Sequence, residues 1–280
     1  MNTSRSETQT ILITGSSSGI GRATARLFLA KGWNVVATMR SPENETELTG
    51  FDNALVTRLD VQDAASITAA VEAGLERFGR LDVLMNNAGY GAYGPLEATP
   101  MDKIERQFGV NVFGLLATTK AVLPHFRANR GGTIVNVSSM GGRITFPLGT
   151  LYHGTKFAVE GLSESLHYEL APFGVRVKIV EPGGVRTDFG GRSFDFSNDP
   201  DLTEYQPLVE ALLASLGPMM DEGGSDAETI AGAIFDAVTD GTDTLRYVAG
   251  ADAVALLDAR RAADDATFFA GMRAQFGLGT

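Results

Sequence analysis

Thr14-Gly15-Ser16-Ser17-Ser18-Gly19-Ile20-Gly21 joins a short apolar run at residues 10–14 to a stretch of helical periodicity at 20–31 that Gly32 ends. Each glycine has a distinct job in a turn of this kind. Gly15 permits the tight turn, Gly19 lets the backbone approach a pyrophosphate, and Gly21 allows close helix–strand packing. The N-terminus of the helix, around Ile20, then offers free N–H donors and a partial positive charge to phosphate. Alone, such a turn fits any strand–helix loop. Its place after the first strand of an alternating pattern is what points to a dinucleotide.

That pattern continues outward. Residues 34–38, 54–59, 81–85, 133–137, 175–181 and 244–248 read as further strands, and 64–78, 101–129 and 151–170 as helices. Short apolar strands alternating with amphipathic helices imply an α/β protein with a parallel sheet covered on both faces. No linker or internal repeat divides the chain, so residues 1–280 read as one domain. Residues 189–224 break the rhythm with Gly, Pro, Asp and Phe and one helical patch at 204–216. An irregular insertion of that length reads as a lid or substrate loop.

The second strand ends in Ala37-Thr38-Met39-Arg40, with no carboxylate to receive adenosine ribose hydroxyls. Arg40 is placed instead for charge-assisted bonds to a 2′-phosphate, with a hydroxyl from Ser17 or Ser18, which favours NADP over NAD. Its alternative is a solvated loop charge. Asp60 and Val61 follow the third strand; Asp60 either accepts from the adenine amino group or caps the helix near Ala64. Asn86-Asn87-Ala88-Gly89 ends the fourth strand. Its small residues, Ala88 and Gly89, let the sheet edge approach a cofactor, while Asn87 either serves that site or ties the loop to neighbouring strands.

Tyr152-His153-Gly154-Thr155-Lys156 carries the chemistry, with Ser139 thirteen residues upstream. Four residues apart on a helix, Tyr152 and Lys156 share a face. A neighbouring ammonium favours the phenolate and lowers the phenol toward a range useful for proton exchange with a carbonyl or alcohol.

Composition narrows the classes. The net charge of -11 argues against nucleic acid or anionic membrane as a bulk partner. No cysteine is present, which removes disulfides and thiolate sites. His125, His153 and His167 show no paired ligand spacing, so no catalytic metal is expected. With a polar first ten residues and no apolar run long enough to span a bilayer, a soluble, cytoplasmic protein is expected.

Taken in order, these motifs resemble the short-chain dehydrogenase/reductase family in its single-domain branch. The likeness rests on the 14–21 turn, Asn86–Gly89, Asn111, Ser139, Tyr152 with Lys156, and Pro182-Gly183 followed by Thr187. Ala37-Thr38-Met39-Arg40 is similar to NADP-preferring members, and the run from His153 to Gly161 to 17β-hydroxysteroid dehydrogenase-like and ketoreductase-like ones. The resemblance implies a three-layer Rossmann fold with a doubly wound, seven-stranded parallel sheet. It implies Tyr152 as general acid/base, Ser139 holding the substrate oxygen, Lys156 on the nicotinamide ribose, and Asn111 anchoring a proton-relaying water. It further implies that Pro182, Gly183, the Val185 backbone and the Thr187 hydroxyl hold the carboxamide and phosphates. Ser138 is expected to face the sheet. Gly184 replaces a proline common in that turn and is expected to loosen the entry to the lid. A homodimer or homotetramer built on the long helices is implied too.

Candidate pocket-wall residues are Tyr90, Tyr93, Phe146, Leu148, Phe189, Phe194 and Phe196, which suit an apolar ketone or alcohol. Arg143, Arg186 and Arg192 are candidate anion contacts. Phe268, Phe269 and Phe276 pack on either a partner or the same subunit. Two other functions compete with a reductase: a non-catalytic NADP-binding sensor or scaffold, disfavoured by the retained Tyr152 and Lys156, and an epimerase or dehydratase, whose Gly-x-x-Gly-x-x-Gly turn is not found here.

Overall fold

A computed structural model describes residues 8–186, 193–221 and 224–278. Seven strands form one sheet: β1 (Thr10–Ile13), β2 (Asn34–Met39), β3 (Ala54–Arg58), β4 (Val83–Asn86), β6 (Gly132–Val137), β7 (Val175–Pro182) and β11 (Arg246–Ala249). Their spatial order is 3-2-1-4-6-7-11, and every pairing is parallel. The order reverses beside β1, so the crevice at the carboxyl ends of β1 and β4 is the topological switch point where such sheets bind ligands. This is the three-layer Rossmann arrangement.

The strands read as unbroken apolar runs because both faces are covered. One core joins Ile11, Ile13, Val35, Val83 and Val135 to Phe28 of α1 (Gly19–Ala30) and Ile230 and Ile234 of α7 (Ala227–Thr239). The other sets Leu12, Val36, Leu84 and Ile134 against Ile67 of α2 (Ala64–Phe78) and Val122 and Phe126 of α4 (Leu115–Asn129). A third cluster lies above the carboxyl edge. It brings Tyr93, Met140 and Ile144 together with Leu212 of α6 (Gln206–Asp221), Leu257 of α8 (Ala251–Ala262), and Phe268, Met272 and Phe276 at α9 (Asp265–Gln275). Phe268 and Phe276 therefore pack within their own subunit, while Phe269 is exposed.

Several elements differ from their sequence reading. The helical stretch at 101–129 is not continuous α-helix: α3 (Met101–Phe108) passes through a π-helical turn at Gly109–Gly114 before α4 begins. The helix near Ala64 is capped by Asp63, whose carboxylate accepts from the Ala65 and Ser66 N–H groups, not by Asp60. Within the insertion, α6 begins after a short 3-10 turn at Thr203–Tyr205, and β9 (Phe194–Phe196) pairs with β5 (Gly91–Tyr93). Lys103 of α3 holds Asp195 at 2.7 Å, pinning β9 to the body. β8 (Val185–Arg186) pairs with β10 (Ser225–Asp226). Thr187, Phe189 and Arg192 lie outside the described residues.

Candidate active site

The glycine turn is built as its sequence requires. Gly15 and Gly19 adopt φ of +72° and +53°, which favour glycine. A Cβ on Gly21 would lie 2.3 Å from the Gly15 carbonyl oxygen and 2.6 Å from Asn87 Nδ2. Thr14 Oγ1 accepts from the Asn87 and Ala88 N–H groups at 2.9 and 3.0 Å. Asn87 Nδ2 in turn donates to the Thr14 and Gly15 carbonyls. Asn87 therefore ties the β4 loop to the turn, while Ala88 and Gly89 line the cleft beside it. Ser18, at the N-cap of α1, makes no side-chain cap bond, so the first N–H groups of the helix remain available to an anion.

A continuous cleft of about 580 Å³ runs from this turn across the sheet edge. Gly15, Ser17, Ser18, Gly19, Ile20, Arg40, Asp60 and Val61 line one end; Ser139, Tyr152, Lys156, Pro182, Gly183 and Val185 line the other. Arg40 is exposed, and its guanidinium enters no ion pair among the described residues. Glu45 and Glu47 nearby in sequence are engaged by Arg22 and Arg26 of α1. An extended dinucleotide fits this cleft: phosphate donors sit at the helix terminus, a cation stands at the end of β2, and hydroxyl groups lie opposite.

α5 (Thr150–Leu170) carries Tyr152 and Lys156. Tyr152 packs against the Tyr93 ring at 5.4 Å and shares a hydrogen bond with Ser139. Ser139 Oγ also accepts from the Gly141 N–H at 3.0 Å. Lys156 turns its Nζ to the Val137 carbonyl at 2.9 Å, 5.8 Å from the Tyr152 ring centroid. Burial lowers the ammonium to about 8, partly opposed by the negative charge of Glu160. For Tyr152, burial raises the phenol and the Ser139 bond only offsets it. The net direction is therefore opposite to the lowering expected from an adjacent cation, because desolvation outweighs the Ser139 hydrogen bond.

Asn111 sits in the π-helical turn. Its Nδ2 donates to the Tyr90 carbonyl and Thr155 Oγ1, and its Oδ1 accepts from the Tyr90 N–H. The side chain thus clips the loop after β4, the π turn and α5 together. Ser138 Oγ is buried beside the Glu160 side chain, both against Gly142. Arg143 pairs with Glu181 and Arg186 with Asp226, and neither is among the residues that line the cleft.

His153 gave no functional signal in the sequence, yet it braces the loop between β6 and α5. Its buried ring sits 2.9 Å from the Gly141 carbonyl through Nδ1, which therefore carries the proton, while Nε2 accepts from the Phe146 N–H at 3.0 Å. Burial keeps this imidazole below its ordinary range. Tyr90, Tyr93, Phe146, Phe194 and Phe196 line the cleft as expected; Met140, Leu212 and Phe276 join them.

A phosphate-accepting turn facing a phenol and a buried lysine across one sheet edge defines an oxidoreductase that works with NAD or NADP. The short chain dehydrogenase family model matches residues 9–197, and the chain belongs to that family. An uncharacterized oxidoreductase of Schizosaccharomyces pombe is 45% identical over 240 residues, covering 86% of this chain and all of that protein. A 3-ketodihydrosphingosine reductase of Bacteroides thetaiotaomicron is 43% identical over 209 residues, 74% of each chain. The crystal structure of a short-chain dehydrogenase from Streptomyces avermitilis superimposes with a TM-score of 0.80 at 36% identity, covering 92% of this chain and 95% of that one.

Proposed function

We propose that this chain is an NADP(H)-dependent oxidoreductase interconverting a ketone (or aldehyde) and an alcohol, with Tyr152 as general acid/base. The observation that carries the reading is the Tyr152 hydroxyl, hydrogen-bonded to Ser139, in the same cleft as the uncapped N-terminus of α1. The bound dinucleotide supplies or accepts the hydride. Ser139 orients the substrate oxygen, and Tyr152 gives it a proton in reduction or takes one in oxidation. Lys156 holds the nicotinamide ribose and keeps positive charge beside the phenol as the proton moves. Asn111, its side chain bonded to Tyr90 and Thr155, anchors the proton-relaying water that the family resemblance implies.

Ser17, Ser18, Gly19 and Ile20 hold the pyrophosphate, Asp60 and Val61 the adenine, and Pro182, Gly183 and Val185 the carboxamide end; Thr187 completes that end. Arg40, exposed and without a carboxylate partner among the described residues, reads the 2′-phosphate. The described residues of the 189–224 insertion form a lid over an apolar substrate, supported by the Phe194, Phe196 and Leu212 side chains in the cleft wall. The relative named for a 3-keto substrate is in keeping with an apolar ketone.

The test is fluorescence titration with NADPH and NADH, then a panel of apolar ketones followed by NADPH loss. We expect NADPH to bind at least tenfold more tightly than NADH, and Arg40→Asp to reverse that order. Equal affinities in both proteins would remove the NADP assignment; tight binding with no turnover across the panel would favour a nucleotide-binding sensor.

A further inference from the structure

Asp252 lies in the first turn of α8, beyond the residues the family model matches, yet its carboxylate reaches the turn after β7. Oδ2 accepts the Gly184 N–H at 2.6 Å. A Cβ on Gly183 would stand 2.2 Å from both carboxylate oxygens, so only glycine lets Asp252 in. Gly250 meets the same side chain, with 2.7 Å from its would-be Cβ to Oδ1, and its φ of +107° is again a glycine conformation. Elsewhere the turn is held by the Gly183 N–H, which donates to the Ala249 carbonyl, by the Gly184 carbonyl, which accepts from the Ser225 N–H, and by a long 3.5 Å bond from the Ser139 hydroxyl to the Pro182 carbonyl. Pro182, Gly183, Gly184 and Asp252 all line the cleft.

We propose that Asp252 is a positioning residue for the cofactor: a carboxylate from the C-terminal helices that fixes the Pro182–Gly184 turn at the nicotinamide end. The inference rests on the placement of that end given above. Gly184 does not loosen this turn. It supplies an N–H that an acidic side chain grips, and charge-assisted bonds of this kind are among the stronger ones. A proline at 184 would have no N–H to offer. Gly184 is not among the glycines with positive φ, and its carbonyl bond to Ser225 survives such a change. Asp252 and an N–H at 184 are therefore coupled, each costly without the other.

A double-mutant cycle on the full chain tests this, read by NADPH titration and by the kcat and KM for NADPH. Asp252→Ala should weaken NADPH on the order of tenfold, about the loss of one charged hydrogen bond, and raise KM more than it lowers kcat. Gly184→Pro alone should also weaken binding, because a ring carbon would replace the hydrogen that Oδ2 accepts. The double variant should bind within about threefold of wild type. A purely structural role would lower thermal stability in each single variant and add in the double, without restoring affinity. If Asp252→Ala does not fold, Gly184→Pro still decides: wild-type affinity there overturns the proposal, as does additive loss in the double variant. A wild-type protein that binds neither nucleotide would instead overturn the cofactor reading itself.

Discussion

Lys156 is buried against the Val137 carbonyl, and its burial has two consequences of opposite sign over one pH interval. Its ammonium, brought to about 8 from 10.5, loses its proton as pH rises through the lower value. We predict that kcat/KM for ketone reduction falls as pH rises through about 8, because the charge beside Tyr152 disappears. Stability of the cofactor-free protein should move the other way. Between about 8 and 10.5 the unfolded chain holds more protons than the folded one, so this group's contribution rises with pH. Measured together, a pH–rate profile and thermal melts across that range check both signs. A flat rate profile from pH 6 to 10 would deny Lys156 its role.

Among the elements, those that sit on periodic sequence were legible and those defined by long-range packing were not. The β1–turn–α1 unit, the parallel strands and α5 all follow from apolar runs and glycine spacing. The π turn at Gly109–Gly114 left no mark in periodicity, because one extra residue per turn disturbs an amphipathic pattern only slightly. Asp63 was passed over as the cap of α2 because Asp60 is equally acidic and only three residues away. Asp252 acts on a backbone amide 68 residues away and His153 on loop groups 7 and 12 residues upstream, and a carboxylate or imidazole that meets a carbonyl or amide through the fold carries no local signature. Phe276 was legible as an aromatic, but its place in the cleft depends on how α8 and α9 fold back. It is only 2% exposed and stands 6.1 Å from the Phe146 ring. Phe276→Ala should therefore cost about 3 kcal/mol of stability and shift kcat/KM toward longer apolar ketones. Thermal melts and a chain-length series measure the two effects, and unchanged chain-length preference would place Phe276 outside the substrate wall.

At the scale of the molecule, an apolar face remains on the long helices after the three cores are filled. Phe113 is 63% exposed, Phe157 46% and Tyr168 76%. Gly161, between Phe157 and Tyr168 on α5, has open space where a Cβ would stand. Phe157, Gly161 and Tyr168 share one helix face at i, i+4 and i+11. In the homodimer or homotetramer that the family resemblance implies, a second copy of the chain would cover aromatic residues a monomer leaves in water. Phe157→Glu combined with Tyr168→Glu should reduce the mass found by light scattering to that of one chain. An unchanged mass would move the interface elsewhere, and a wild-type monomer would remove it. No helix among the described residues is long and apolar enough to cross a membrane.

If one phenol moves the proton in this cleft, turnover depends on the Tyr152 hydroxyl and nucleotide binding does not. Tyr152→Phe keeps the ring packed on Tyr93 and removes only the hydroxyl, so the measurement is kcat for ketone reduction alongside NADPH affinity in that variant. The account predicts a fall in kcat of about 10²–10⁴-fold with the NADPH dissociation constant within about twofold of wild type. Turnover close to wild type, with NADPH bound as before, would contradict it.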